Sequence, residues 1–155
     1  MVVVTDRPSL VLLAVLVFAP LLACSGGDDD GDVDAATDEG VLTLDVETPT
    51  LVSGEAAAWV LTVTNEGAAP VVLTFRSGQD GDVVLRDGDE VAYRWSEGRA
   101  FTLAIREVTL APGEARDLSL AEEALDVPAG AYEMEVLVAS SPAPPSRRQA
   151  VSVET

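Results

Sequence analysis

Trp59-Val-Leu-Thr-Val-Thr-Asn65-Glu-Gly67 sets Trp59, Leu61 and Val63 against Val60, Thr62 and Thr64 in strict alternation, then closes on a turn signal. A two-residue period with apolar side chains in one phase marks a half-buried strand. Asn-x-Gly ends such a strand, because Asn bonds its own backbone and Gly accepts turn geometry. The pattern repeats outward in both directions. Leu42, Leu44 and Val46 alternate within Val41–Glu47, as do Val71, Leu73 and Phe75. Val91, Tyr93 and Trp95 form a further inward set, then Phe101, Leu103 and Ile105, then Tyr132, Met134, Val136 and Val138, with a last strand at Gln149–Glu154. Ser77-Gly78, Pro112-Gly113 and Pro128-Ala-Gly130 punctuate the series, and Asp87-Gly88 reads as a two-residue hairpin joining Val83–Arg86 to Glu90–Ser96. The inward phase slips between Ile105 and Val108, which predicts a bulge near Arg106-Glu107. Leu118–Leu125 admits a short helical turn. Seven to nine strands over residues 41–155 predict one all-β domain, an antiparallel immunoglobulin-like β-sandwich.

A different chemistry precedes the domain. Leu10 to Ala23 is an apolar run of 14 residues, short for a membrane span but long enough for the core of an export signal, with Arg7 before it. Leu21-Leu-Ala-Cys24 resembles the lipobox of bacterial lipoproteins, in which the Cys is lipidated and becomes the first residue after cleavage. Residues 1–23 then form a signal peptide and Cys24 the lipid anchor; an ordinary N-terminal anchor or uncleaved signal is the alternative. Ser25–Gly40 holds seven carboxylates and no base. Such a stretch buries nothing that would offset chain entropy, so residues 24–40 read as an acidic disordered tether. A flexible chain of this length has an end-to-end distance of roughly 20–24 Å. Asp28–Asp34 carries the oxygen density of a calcium loop, a site that also needs a turn geometry and a closing bidentate carboxylate.

The net charge is −18, of which the domain carries −11, and all nine basic residues are arginine. Without a basic stripe, nucleic acid is excluded as a partner, and so is electrostatic adhesion to anionic lipid. The chain has no histidine, and its one cysteine is assigned to lipid. That removes imidazole acid–base catalysis, Ser-His-Asp triads, thiolate nucleophiles and most zinc sites. Asp80, Asp82, Asp87, Asp89 and Glu90 are the remaining candidates for a catalytic carboxylate pair or a calcium site. They flank glycine-rich turns, where Asp belongs for local hydrogen bonding. The expectation is a domain with no catalytic residue, no metal site and no cofactor.

Leu61-Thr-Val-Thr-Asn65, Pro70–Phe75, Ser77-Gly-Gln79, Asp82 and Val91–Ser96, followed by Gly98 and Phe101, resemble the intracellular proteinase inhibitor domain family known as BsuPI. Leu110-Ala-Pro-Gly-Glu114 and Ala131-Tyr132 continue the resemblance, which spans Leu42 to Val138. Phe-x-Ser-Gly-Gln and Tyr-Arg-Trp-Ser-x-Gly-x-x-Phe are its most specific spacings. Gly81 and Val83 depart from it, standing where family members often carry aromatic residues. The resemblance implies a β-sandwich, and inhibition of a serine protease as the namesake activity.

Binding is the remaining chemistry. Arg76, Gln79 and Arg99 stand on the loops Arg76–Gly81 and Ser96–Ala100, which with Ala139–Arg148 are the segments free to meet a partner. Asp82 and Arg94 are further candidates; in the structural reading Arg94 lies on the outer face, paired with Asp82 or Glu90, while Trp95 enters the core. The function expected is a membrane-anchored cell-envelope lipoprotein with a non-catalytic binding module, facing a protein partner on the extracytoplasmic side. The alternative is a proteinase inhibitor at the cell surface.

Overall fold

The computed structural model describes residues 41–155; the stretches expected to be the signal peptide and the acidic tether, with Cys24 and Asp28–Asp34, lie outside them. Alternation along the chain becomes eleven strands among the described residues: β1 Leu42–Glu47, β2 Leu51–Val52, β3 Ala57–Asn65, β4 Val71–Phe75, β5 Gly81–Asp87, β6 Glu90–Arg94, β7 Arg106–Leu110, β8 Ala115–Glu122, β9 Gly130–Val138, β10 Ser140–Ser141 and β11 Arg147–Glu154. Nine run five residues or more, and the two short ones are β2 and β10. They form three hydrogen-bonded ladders, β1-β3-β8, β10-β4-β7 and β2-β11-β9-β5-β6. Every pairing is antiparallel except β2 with β11.

The alternation decides which face is buried. Trp59, Leu61 and Val63 of β3 meet Val83 and Leu85 of β5, Met134 and Val136 of β9, and Leu73 and Phe75 of β4 in one core. The fold is therefore an all-β, immunoglobulin-like sandwich. Gly81 is tightly enclosed: a Cβ there would lie 2.6 Å from the Leu137 carbonyl oxygen of the neighbouring strand β9 and 3.0 Å from Leu61 Cδ2 of β3. That contact explains why this position holds no aromatic side chain. Asn65 closes β3 as its turn signal requires. Its buried amide donates to the carbonyls of Ala69 (2.9 Å) and Leu110 (3.0 Å), and its Oδ1 accepts from Gly67 N (3.0 Å). A Cβ on Gly67 would meet Val41 Cγ1 at 2.4 Å, so the glycine of Asn-x-Gly is demanded by packing.

Four sequence expectations are corrected. The bulge lies in the β5–β6 hairpin, not at Arg106-Glu107: Leu85 pairs with Tyr93 but Arg86 pairs with Val91, leaving Ala92 as the extra residue. That extra residue reverses the phase, so Tyr93 turns inward while Val91 stands 44% exposed. The β4–β7 register is continuous from Val71↔Leu110 to Phe75↔Arg106. The slip seen in the sequence has another cause: Leu103 and Ile105 belong to no strand and point away from the core. Leu118–Leu125 holds no helix; Leu118 and Leu120 are the inward residues of β8. The hairpin turn is Gly88-Asp89, flanked by the Asp87↔Glu90 pair, with Gly88 at φ 58°. Positive φ at the first central position alone is the type II′ requirement for glycine.

Candidate functional site

The site is built around the start of β5. Gly81 pairs with Val138 at the end of β9, and the Ala139 amide donates to the Asp80 carbonyl (2.9 Å). The segment after β9 therefore meets the loop 76–80 there, and that loop, the start of β5 and residues 94–106 are joined by three kinds of contact. Asp82 supplies the first. The residue is 3% exposed; its Oδ1 accepts from the amides of Val83 and Ser96 (both 3.0 Å), and Oδ2 from Ser96 Oγ (2.7 Å) and Arg94 Nη1 (3.1 Å). A buried carboxylate persists only when its lone pairs are filled, and here all four contacts run to the segment 94–96 or to its own strand.

The second contact fixes residues 95–101. Trp95 is inward by alternation, and its indole N–H donates to the Ala121 carbonyl (2.9 Å). Arg99 folds back over it, 4.4 Å from the ring, donating to the Trp95 carbonyl (2.7 Å), the Ala121 carbonyl (3.1 Å) and Glu122 Oε2 (2.9 Å). Tyr93 donates its hydroxyl to the same Glu122 oxygen (2.7 Å). Burial works to raise the Glu122 carboxyl, but the bonds from Tyr93 and Arg99 outweigh it and hold it below its ordinary value. Burial first, and then the Glu122 carboxylate, push the Tyr93 hydroxyl well above the ordinary phenol value.

The third contact frames residues 102–106. The Phe101 ring lies 5.8 Å from Trp95. Gly78 N donates to the Thr102 carbonyl (2.9 Å), and a Cβ on Gly78 would strike Thr102 Oγ1 at 2.6 Å. Arg106 pairs with Asp80 and lies 4.6 Å over the Phe75 ring. Between these two fixed flanks, Leu103, Ala104 and Ile105 make no hydrogen bond with any described residue. Leu103 is 96% exposed and Ile105 76%.

The candidates expected from sequence divide accordingly. Asp82 and Arg94 pair with each other, as the outer-face reading of Arg94 expects, and Trp95 is in the core. Arg99 is bound internally, and Gln79 donates to the Gly81 carbonyl (3.1 Å) inside its own loop. Arg76 is exposed and makes no ion pair or side-chain hydrogen bond with the described residues. Asp80 and Asp82 face arginines, while Asp87, Asp89 and Glu90 lie exposed on the hairpin turn. Among the described residues no three Asp, Glu, Cys or His side chains gather as metal ligands would. Leu103 and Ile105 are the site residues that sequence reasoning missed. Their alternation with Thr102 and Ala104 copies a strand, and only the slip of phase before Val108 signals otherwise.

No curated protein matches the chain. Among solved structures, the CARDB domain of a Pyrococcus furiosus protein in complex with di-metal ions is similar at 19% identity and TM-score 0.41, covering 72% of this chain and 86% of that one. The sporulation control protein Spo0M of Bacillus subtilis is similar at 17% identity and TM-score 0.47, covering 75% and 50%. A β-glucosidase of Listeria innocua is similar at 20% identity and TM-score 0.41, with 74% of this chain matched to 16% of the enzyme. The intracellular proteinase inhibitor family model matches residues 44–143. That span takes in every strand from β2 to β10 and every residue that frames the 102–106 segment, and the chain belongs to the BsuPI intracellular proteinase inhibitor family.

Proposed function

We propose that this chain is a non-catalytic binding module of the cell envelope, held to a membrane by a lipid on Cys24, that meets a protein partner through residues 102–106. One observation carries the binding reading: Leu103 and Ile105 are the most exposed large apolar side chains among the described residues, yet the backbone on either side of them is fixed. Exposed apolar surface without a packing role marks an interaction site. Preorganisation lowers the entropy lost on binding. The residues that carry the family resemblance serve this arrangement, since Phe75, Gly78, Trp95 and Phe101 hold the flanks. The anchor rests on the sequence alone, on Leu21–Cys24 and the polar stretch that follows.

Affinity capture from the native envelope fraction tests the binding reading, with the full chain and its Leu103→Asp variant as parallel baits. A partner held by the first and lost by the second is the expected result; equal capture by both removes the reading. Metabolic labelling with fatty acid tests the anchor. Label on the wild-type chain and none on Cys24→Ser is expected, and an unlabelled wild-type chain with its leader attached refutes it.

Proteinase inhibition is the second reading. The family match over residues 44–143 favours it, as does the shape of the exposed segment. It changes the identity of the partner and leaves the surface and the absence of catalysis as proposed.

A further inference from the structure

We infer that residues 102–106 form an inhibitory loop for an endoproteinase with a large apolar primary pocket, and that Leu103 is the side chain that fills it. The inference rests on the binding reading above and names its partner. Endoproteinases take extended segments, pairing backbone to backbone while single side chains enter pockets. Leu103, Ala104 and Ile105 have backbone N–H and C=O groups unused by any described residue, so that pairing is open to them.

The pocket chemistry follows from what is free. The two arginines that border the segment are occupied, Arg99 by Glu122 and the Trp95 ring, Arg106 by Asp80 and the Phe75 ring. Neither is available to a pocket that selects a cation. Leu103 is 96% exposed and flanked by Thr102 and Ala104, small enough to let it project into a deep slot. Ile105 follows two residues on, on the same side of an extended chain, and suits a second apolar subsite.

The flanks explain how such a segment resists being an ordinary substrate. Thr102 is tied to Gly78 and Arg106 to Asp80, so both ends are fastened to the single loop 77–80. Hydrolysis of the Leu103–Ala104 peptide by water would leave a carboxylate on Leu103 and an amine on Ala104. Both would stay anchored within reach of one another, where the reverse condensation is favoured.

The test measures inhibition constants of the full chain in detergent micelles against chymotrypsin, subtilisin, elastase and trypsin, whose primary pockets differ in size and charge. Competitive inhibition of chymotrypsin or subtilisin is expected. Leu103→Asp should weaken it at least about tenfold, the loss of one buried leucine contact. Leu103→Phe should retain it, and Leu103→Arg should transfer inhibition to trypsin. Val91→Asp, an exposed apolar position on the hairpin, should leave it unchanged. Thermal melts of each variant confirm that the fold is intact, since Leu103 contributes nothing to the core.

Unchanged inhibition by Leu103→Asp overturns the inference. So does inhibition of trypsin by the wild-type chain that falls with Arg76→Ala, because the entering residue is then that arginine. Failure to inhibit any of the four enzymes also overturns it. If in that case Leu103→Asp still abolishes envelope capture, the binding reading stands with a partner other than a proteinase; if capture is unaffected, both readings fall.

Discussion

Replacing Asp82 with alanine should cost the domain about 4 kcal/mol, although the residue contributes nothing to the hydrophobic core. Its carboxylate accepts four hydrogen bonds, two from the backbone amides of Val83 and Ser96, one from Ser96 Oγ and one from Arg94. Without an acceptor, each buried amide is left unsatisfied at roughly 1–3 kcal/mol, and the hydroxyl and guanidinium bonds are lost as well. Part of this is returned because the carboxylate no longer has to be kept out of water. Asp82→Asn should cost about half as much, since its carbonyl can still serve both amides while its NH2 faces the Arg94 donors. Arg94→Ala should cost about 1 kcal/mol, as that side chain is 40% exposed and solvent screens the pair. Urea denaturation followed by tryptophan fluorescence reads all three, and for a domain of this size the alanine variant should melt roughly 15–25 °C lower. A cost below about 1 kcal/mol for Asp82→Ala would refute the reasoning. So would an Arg94→Ala variant less stable than Asp82→Ala, because the ion pair rather than the amide acceptors would then be holding the loop.

Glu122 has a lowered folded value, so its contribution is present above the unfolded carboxyl value of 4.5 and is lost as pH falls through the folded one. Glu122→Gln should flatten the acid limb of stability against pH in that window. Tyr93 is shifted upward, so its contribution is present below the unfolded value of 10.0 and is lost as pH rises through the folded one. Tyr93→Phe should flatten the alkaline limb, which urea titrations at stepped pH would resolve. Asn65→Leu should destabilise the domain by about 3 kcal/mol in the same denaturation assay, because it strips partners from Gly67 N and the Ala69 and Leu110 carbonyls in a buried corner. A loss below about 1 kcal/mol would mean that water replaces the amide there.

The strands were legible because burial of one face writes itself into composition every second residue, as in Trp59, Leu61 and Val63. Asp82 with Arg94 was legible as one of two pairings, since both lie on one hairpin; Arg94 stands across from Val84 and reaches diagonally to Asp82. What composition does not carry is a change of phase whose cause lies on another strand. The unpaired Ala92 is no different from its neighbours until the hairpin is paired. The segment at Leu103 shows the converse. Its alternation is real, but no strand lies beside it to hide the apolar side, so the same pattern that signals burial elsewhere marks exposure here. Arg99 reads as a free loop cation in sequence; only the proximity of Trp95 and Glu122, set by the packing of β6 against β8, consumes it.

The placement of β11 has a consequence for how the molecule comes into being. It lies between β2 and β9 in the five-stranded ladder, and its pairing of Val153 with Leu51 joins residues about a hundred positions apart. During synthesis, β2 and β9 emerge while the β9 edge stays open, because β11, the strand that covers it, follows both in the chain. Closure is then a late, long-range event, slow by the entropy of the loop it must close. The same openness leaves the β9 edge free to pair with a neighbouring chain, so a truncation before Arg147 should leave an adhesive product rather than a smaller folded one.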